Sequence, residues 1–480
     1  MLNTKGHAMK NAIIIEKAVV ASACLLVATA CFAGNAAQAA ATSGTWANPS
    51  ATTDSWTTGS NWSITSGSGS YPDGTDGVAT FTNPGSNYTV DIGSTPVTIG
   101  SVVAGFNANH GLTITGGTLN LATSTGTPGL TWTSSASGPV VSLSGLTVTG
   151  NQGLIVTGSP NFGTSLRTYG NTNWSGFSGP VALTQGNWDP QQANAAPTNS
   201  DLILGGTSAN PASDTGTARF GMFGGRNQTI GALIGGSAGY LSNNNTASAS
   251  TITLGNNGDS GNFAGNIGKQ TVGQATGTGA FINVIKVGTG TETFSGTDIY
   301  TGATTVNAGT LAITGALTGG GAVTVNTNGA LAGTGTISGA VTVSGGAINL
   351  VDGSTGTLAL SNTLALASGS SLAFEIGSGG ASDLINVAGA ISATGPVAVN
   401  ITGLAGFGTG TYNLISAASS SGLSNLAIGT TPGGAFSYIL QSNAAGEQLV
   451  VSAVPEPASL GLVVALGAMG LLLLRRKARA

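Results

Sequence analysis

One pentad, present three times, limits what this chain can fold into more than any other feature. Gly302-Ala303-Thr304-Thr305-Val306, Gly321-Ala322-Val323-Thr324-Val325 and Gly339-Ala340-Val341-Thr342-Val343 recur at steps of 19 and 18 residues. A second short alternating stretch follows each, at 310–313, 330–332 and 347–350, and a pair at 358–360 and 364–366 continues the spacing without the glycine. Each unit reads as two short strands separated by Gly and Asn turns. So small a unit cannot bury its inward Val, Leu and Ala alone and must stack on a neighbour, which is the arrangement of a β-solenoid. The alternative is an antiparallel sandwich with strands every ~8–12 residues. Very short strands, and no aromatic between Tyr300 and Phe374 to fill a wider core, favour the solenoid over 290–370.

Composition agrees. With 80 Gly and 15 Pro in 480 residues, a mostly helical protein is excluded. Charged residues make up 6%, against roughly 25% in an ordinary soluble domain. A mean hydropathy of +0.27 rules out charge-driven disorder. Asn326, Asn328 and Gly329, or Ser344, Gly345 and Gly346, supply corners that tolerate positive φ.

Charge is unevenly placed. Lys5, Lys10, Lys17, Arg475, Arg476, Lys477 and Arg479 lie at the ends, so residues 40–455 carry five basic against fourteen acidic groups, a net −9. A nucleic-acid partner, which needs a basic footprint, is therefore not expected.

At the N-terminus three lysines precede an apolar run from Ala18 to Ala33, and small residues follow to Ala37-Gln38-Ala39. This is the pattern of a secretory signal read by the Sec translocon, with Ala37 and Ala39 marking cleavage after residue 39. Both cysteines, Cys24 and Cys31, fall inside it, so the mature chain would have neither disulfide nor thiolate chemistry.

At the C-terminus Pro455-Glu456-Pro457 leads into seventeen apolar or small residues, 458–474, and then Arg475-Arg476-Lys477-Ala478-Arg479. Physically this is a transmembrane helix with a basic tail (475–479) held on the cytoplasmic side. The three-part pattern resembles the PEP-CTERM sorting signal of bacterial exported proteins. That resemblance implies an exosortase-type membrane protease acting at Pro455-Glu456-Pro457, transient insertion in the inner membrane, and delivery to the cell surface or extracellular polysaccharide. A permanent tail anchor is the alternative.

Phe294-Ser295-Gly296 and the following Tyr300-Thr301-Gly302 to Gly309-Thr310-Leu311 resemble the autotransporter-associated β-strand repeat, with an eroded copy at Phe177-Ser178-Gly179 to Gly186. The resemblance implies a right-handed parallel β-helix of the passenger type. Where an autotransporter would carry its translocating barrel, this chain has the sorting pattern, so another export route is expected.

The expected protein is all-β: a right-handed parallel β-helix with β caps, an N-terminal signal peptide and one C-terminal transmembrane helix. Its parts would be the signal peptide (1–39), an aromatic-rich β cap with the first coils (40–125), an irregular Gly/Asn-rich solenoid (126–290), regular repeats (291–371), a C-terminal β cap (372–452) and the sorting signal (453–480). Trp46, Trp56 and Trp62 belong to the first cap, with sugar-stacking platforms as the alternative.

Chemistry is sparse. His110 is the mature chain's one histidine and reads as a loop residue, which leaves no material for zinc sites or hydrolytic triads. The acids look scattered, against the clustered carboxylates of sugar-cleaving enzymes. Asp73-Gly74-Thr75-Asp76-Gly77 reads as an Asx turn, with a calcium site at Asp73 and Asp76 left open. No cofactor is expected. The reading is a non-enzymatic structural or adhesive surface protein. Alternatives are a β-helix that binds or degrades polysaccharide, and an ice-binding Thr array such as Thr113-Ile114-Thr115 or Thr147-Val148-Thr149.

Overall fold

Strict alternation of side chains along short strands, with Gly at the bends, organises the chain into stacked turns. The computed structural model describes residues 41–454 apart from 48–52, 83–86, 107–109, 135–139, 160–164, 207–216, 223, 244–246, 269–279 and 435. The chain divides into two units, Met1–Ala41 and Thr42–Ala480, and all the described strands belong to the second. The signal peptide with Ala37 and Ala39, Pro455, Glu456 and Pro457, the expected helix 458–474, and Arg475, Arg476 and Lys477 lie outside the described residues.

Turns carry three strands, not two. Ser101–Phe106, Leu112–Thr115 and Thr118–Leu121 make one turn. On it lies the next, Gly129–Ser134, Val140–Ser144 and Thr147–Gly150, every pairing parallel: Gly129 opposite Ser101, Val141 opposite Leu112, Val148 opposite Leu119. Stacked first, second and third strands form three ladders. The first runs unbroken from Val78–Thr82 to Leu426–Ile428. An antiparallel sandwich is thereby excluded over 290–370, and the fold is all-β with a long, mostly parallel sheet consistent with a β-solenoid. Three-strand turns recur within 126–290, with longer connections between strands and one turn, 181–201, that lacks its third strand.

The repeat pentads sit in the third ladder, with Thr304, Val323 and Val341 in register. Close stacking explains their glycines: a Cβ on Gly321 would collide with the carbonyl oxygen of Gly302, and one on Gly339 with that of Gly321. Three details differ from what the repeat spacing predicts. The two short strands of a unit merge into continuous strands, Thr304–Ile313 and Val323–Ala332, because ladder pairing persists through the corner at Gly309 (φ 65°), with one register shift between Val306 and Ala308. Two-residue strands at Thr297–Asp298, Ala316–Leu317 and Thr336–Ile337 complete each turn. Finally, Leu358–Leu360 extends the second ladder, and it is Leu364 that stacks on Val341, so the step there widens to 23 residues.

Inward positions form one aliphatic stack per ladder: Val306–Val325–Val343–Leu366, Leu311–Leu331–Ile348–Leu372 and Leu317–Ile337–Leu360–Val387, all buried. Burying each such side chain contributes about 1.5–3 kcal/mol.

At both ends pairing turns antiparallel. Ser43–Trp46 runs antiparallel to Trp62–Ser66 and parallel to Val78–Thr82. Gly446–Ala453 runs antiparallel to Gly410–Ser421 and to Phe436–Asn443. Among the described residues no helix is long and apolar enough to cross a membrane.

Candidate functional site

Among the described residues the third ladder is interrupted once. Asn173–Phe177 stacks on Thr147–Gly150, but the following turn runs as a single strand, Val181–Pro190, through the first two ladders. From Gln191 to Asp201 it then forms no strand, and the third ladder resumes at Gln228–Thr229. Ala195, Ala196 and Pro197 turn inward and plug the core where a strand is missing. The outer side of the gap is a solvent-open cleft of about 400 Å³ between segment 170–175 and this loop.

The loop is tied down along its length. Buried Gln228 donates from Nε2 to the Gln192 carbonyl (2.7 Å) and accepts the Ala196 N–H at Oε1 (3.3 Å). Trp174 Nε1 donates to the Ala195 carbonyl (3.2 Å), and the Asn194 N–H to the Asn227 carbonyl (2.9 Å). Asn256 Nδ2 holds the Thr198 carbonyl at 3.2 Å. Asn194 itself adopts φ 50°, a left-handed backbone that costs a non-glycine residue of order 1 kcal/mol. Asn171, Asn173, Ser175 and Asn194 present exposed side chains to the cleft, and among the described residues no charged one lines it. Trp174 is only 7% exposed, its rings packed edge-on against Phe177.

Next to this loop lies a buried charge pair. Arg219 Nη2 is 3.1 Å from Asp189 Oδ1, and Arg219 Nε donates to Asn187 Oδ1 at 3.0 Å. Burial pushes Asp189 up and Arg219 down, and each partner's charge opposes the other's shift. Arg226 reaches Gln191 Oε1 at 3.1 Å.

Further along, charged side chains that look scattered in the sequence lie inside the stack. Lys286 is buried, its Nζ donating to the carbonyls of Val287 (2.6 Å), Gly288 (3.3 Å) and Ala308 (3.4 Å). Burial pushes Glu292 and Asp298 each up to about 8, favouring the neutral acid. Each uses one oxygen to accept a backbone N–H, from Leu233 and Ile267 respectively. Glu375 Oε2 gathers the N–H groups of Asp352, Gly353 and Ser354 at 2.8–3.1 Å. These carboxylates hold backbone.

The residues singled out from the sequence are dispersed. Trp46, Trp56 and Trp62 are 5%, 0% and 6% exposed and cluster with Phe81 and Tyr88, so they are core and have no face for a sugar ring. Asp73 Oδ1 accepts the Thr98 N–H and Asp76 Oδ1 the Ser124 N–H. The Gly77 N–H bonds to the Gly74 carbonyl across the turn. Hydrogen bonds from Ser124 hold the Asp76 carboxyl below its ordinary value. His110 lies half-buried between Ser101–Phe106 and Leu112–Thr115. Among the described residues no group of three His, Cys, Asp or Glu could hold a metal ion. The Thr rows are short: Thr113 and Thr115 stand beside Thr89 and Asp91 on one side and Ser142 and Ser144 on the other. Thr147 and Thr149 stand beside Thr118 and Asn120.

Residues 284–313 match a family model described as the passenger-associated-transport-repeat. The matched stretch passes through the third, first and second ladders and back through the third to the first, more than one complete turn. It contains Phe294-Ser295-Gly296 and the first pentad, and also the buried Lys286, Glu292 and Asp298. A repeat of this type points to an exported, β-rich surface protein. The eroded copy at 177–186 is out of phase with it: Phe294 ends a first-ladder strand, whereas Phe177 ends a third-ladder strand. No curated protein matches the chain.

Proposed function

We propose that this chain is an exported bacterial protein of the cell surface or extracellular matrix, a right-handed parallel β-helix with a structural and adhesive role and no catalysis. The observation that carries this is the passenger-type repeat at 284–313 seated in the ladder, with its neighbouring turns built to the same three-strand plan. In this reading the Sec translocon takes the chain through its signal peptide and cleavage follows Ala39. The helix 458–474 then holds it transiently in the inner membrane, with Arg475, Arg476 and Lys477 inside the cell. An exosortase-type protease releases it at Pro455-Glu456-Pro457. The antiparallel strands at the two ends act as caps on sheet edges that would otherwise be open for pairing.

A second reading, binding of polysaccharide, is favoured by the uncharged polar cleft at 170–198.

Fractionation of cells carrying a C-terminally tagged chain tests the first reading. The wild type should lose its tag and reach the surface or medium, while the chain with Pro455, Glu456 and Pro457 replaced by alanines stays in the inner membrane. Retention of the intact tag by both would overturn the sorting step.

A further inference from the structure

We infer that the cleft between segment 170–175 and the loop 191–201 is a binding site for a neutral oligosaccharide, a step that rests on the proposed extracellular location and names the ligand class of the cleft. Its lining decides the chemistry. Asn194 offers an amide that both donates and accepts, Asn171 and Asn173 present their Nδ2 donors while their Oδ1 atoms accept from Ser144 Oγ (3.4 Å) and the Ser175 N–H (2.9 Å), and Ser175 and Thr198 add hydroxyls. A sugar ring presents the same mixture of donors and acceptors. Among the described residues no lysine or arginine lines the cleft to neutralise a uronate or sulfate, and Arg219 and Arg226 are engaged with Asp189 and Gln191. Nor do the described residues form an aliphatic wall there for an apolar peptide.

Size and rigidity fit the same ligand. About 400 Å³ lies within the roughly 300–1,000 Å³ of small-molecule sites, and the cleft is open to solvent, so a longer chain can pass through it. Gln228, Trp174 and Asn256 fix the loop backbone before any ligand arrives, which removes the ordering cost of binding. Asn194 is held in a left-handed conformation by a bond through its own N–H, leaving its amide in the cleft. Backbone strain retained at a non-glycine loop residue concentrates at ligand sites. With Trp174 almost covered, recognition relies on hydrogen bonds in place of ring stacking.

The test is titration of the purified mature chain with three neutral probes (cellohexaose, mannohexaose and maltohexaose) and one anionic probe, hexagalacturonate, by calorimetry or ligand-observed NMR. At least one neutral probe should bind more tightly than hexagalacturonate. The variant Asn171→Ala with Asn194→Gly removes two amides at exposed positions and relaxes the left-handed backbone. It should keep the melting temperature within a few degrees and weaken that probe at least tenfold. Asn326→Ala, distant in sequence and outside the cleft, should leave binding unchanged. Failure of all three neutral probes, preference for hexagalacturonate, or equal binding by the cleft variant would each overturn the assignment. Release to the surface without neutral-sugar binding would remove this ligand and spare the sorting reading. Sugar binding by a chain that stays in the inner membrane would do the reverse.

Discussion

Asp189 and Arg219 sit on adjacent turns with Oδ1 and Nη2 3.1 Å apart, each side chain 8% exposed. Gly221 is what admits them, since a Cβ there would run into the Asp189 carboxylate. Removing one partner of a buried pair strands the other, at a cost of about 3–5 kcal/mol. Asp189→Ala should therefore lower stability by that amount in urea unfolding. Asp189→Leu combined with Arg219→Met should recover most of it. A double variant no more stable than Asp189→Ala would contradict this account.

The repeat glycines are placed for contact, and a pair of neighbours tells contact from conformation. Gly321→Ala should cost about 1–3 kcal/mol because its methyl meets the Gly302 carbonyl. Gly320→Ala carries only the penalty of φ 79°, with nothing within 4 Å of the added carbon, about 1 kcal/mol. Denaturation midpoints of the two variants should rank in that order.

Burial of Glu292 and Asp298 makes stability depend on pH. Their ordinary values are 4.5 and 3.8 and both are pushed up to about 8 in the folded chain. Between those limits these two groups bind more protons in the folded chain than in the unfolded one, so their contribution to stability is complete below about pH 4 and declines as pH rises toward 8. Melting temperature should fall from pH 5 to 8. Glu292→Gln and Asp298→Asn should each flatten that decline, and identical profiles for all three chains would refute the assignment.

Stacked turns touch only their neighbours, so damage should stay local. Leu331→Ala opens a cavity between Leu311 and Ile348, at a cost of about 2–5 kcal/mol. Hydrogen exchange should accelerate most in the strands Thr304–Ile313, Val323–Ala332 and Ala347–Asn349 and least near Trp46. Uniform acceleration along the whole chain would count against nearest-neighbour coupling.

The pentads make stacking legible because alternation and glycine spacing are local signals. The two-residue strands are not legible in the same way: Thr336–Ile337 offers no periodicity to read, and only pairing with Ala316–Leu317 reveals it. Buried charges leave a trace that charge counting hides. In Ile282-Asn283-Val284-Ile285-Lys286 the lysine shares parity with Val284, and in Thr291-Glu292-Thr293-Phe294 the glutamate shares parity with Phe294. Alternation alone assigns both inward. The cleft is invisible in the sequence because it arises where a strand is missing, and absence of a strand between Gln191 and Asp201 reads as an ordinary loop until the ladders on either side are known.

Register between successive turns has a consequence for length. Residues 304–322 form one complete circuit, after which Val323 occupies the place of Thr304. Excising that stretch would join Ala303 to Val323 and shorten the stack by one strand spacing, about 4.7–4.9 Å, with the partners above and below still matched. A cut of half a circuit would instead set strands of one ladder against those of another. Reach can thus be altered in whole-circuit increments while the ends, and whatever they are attached to, stay the same.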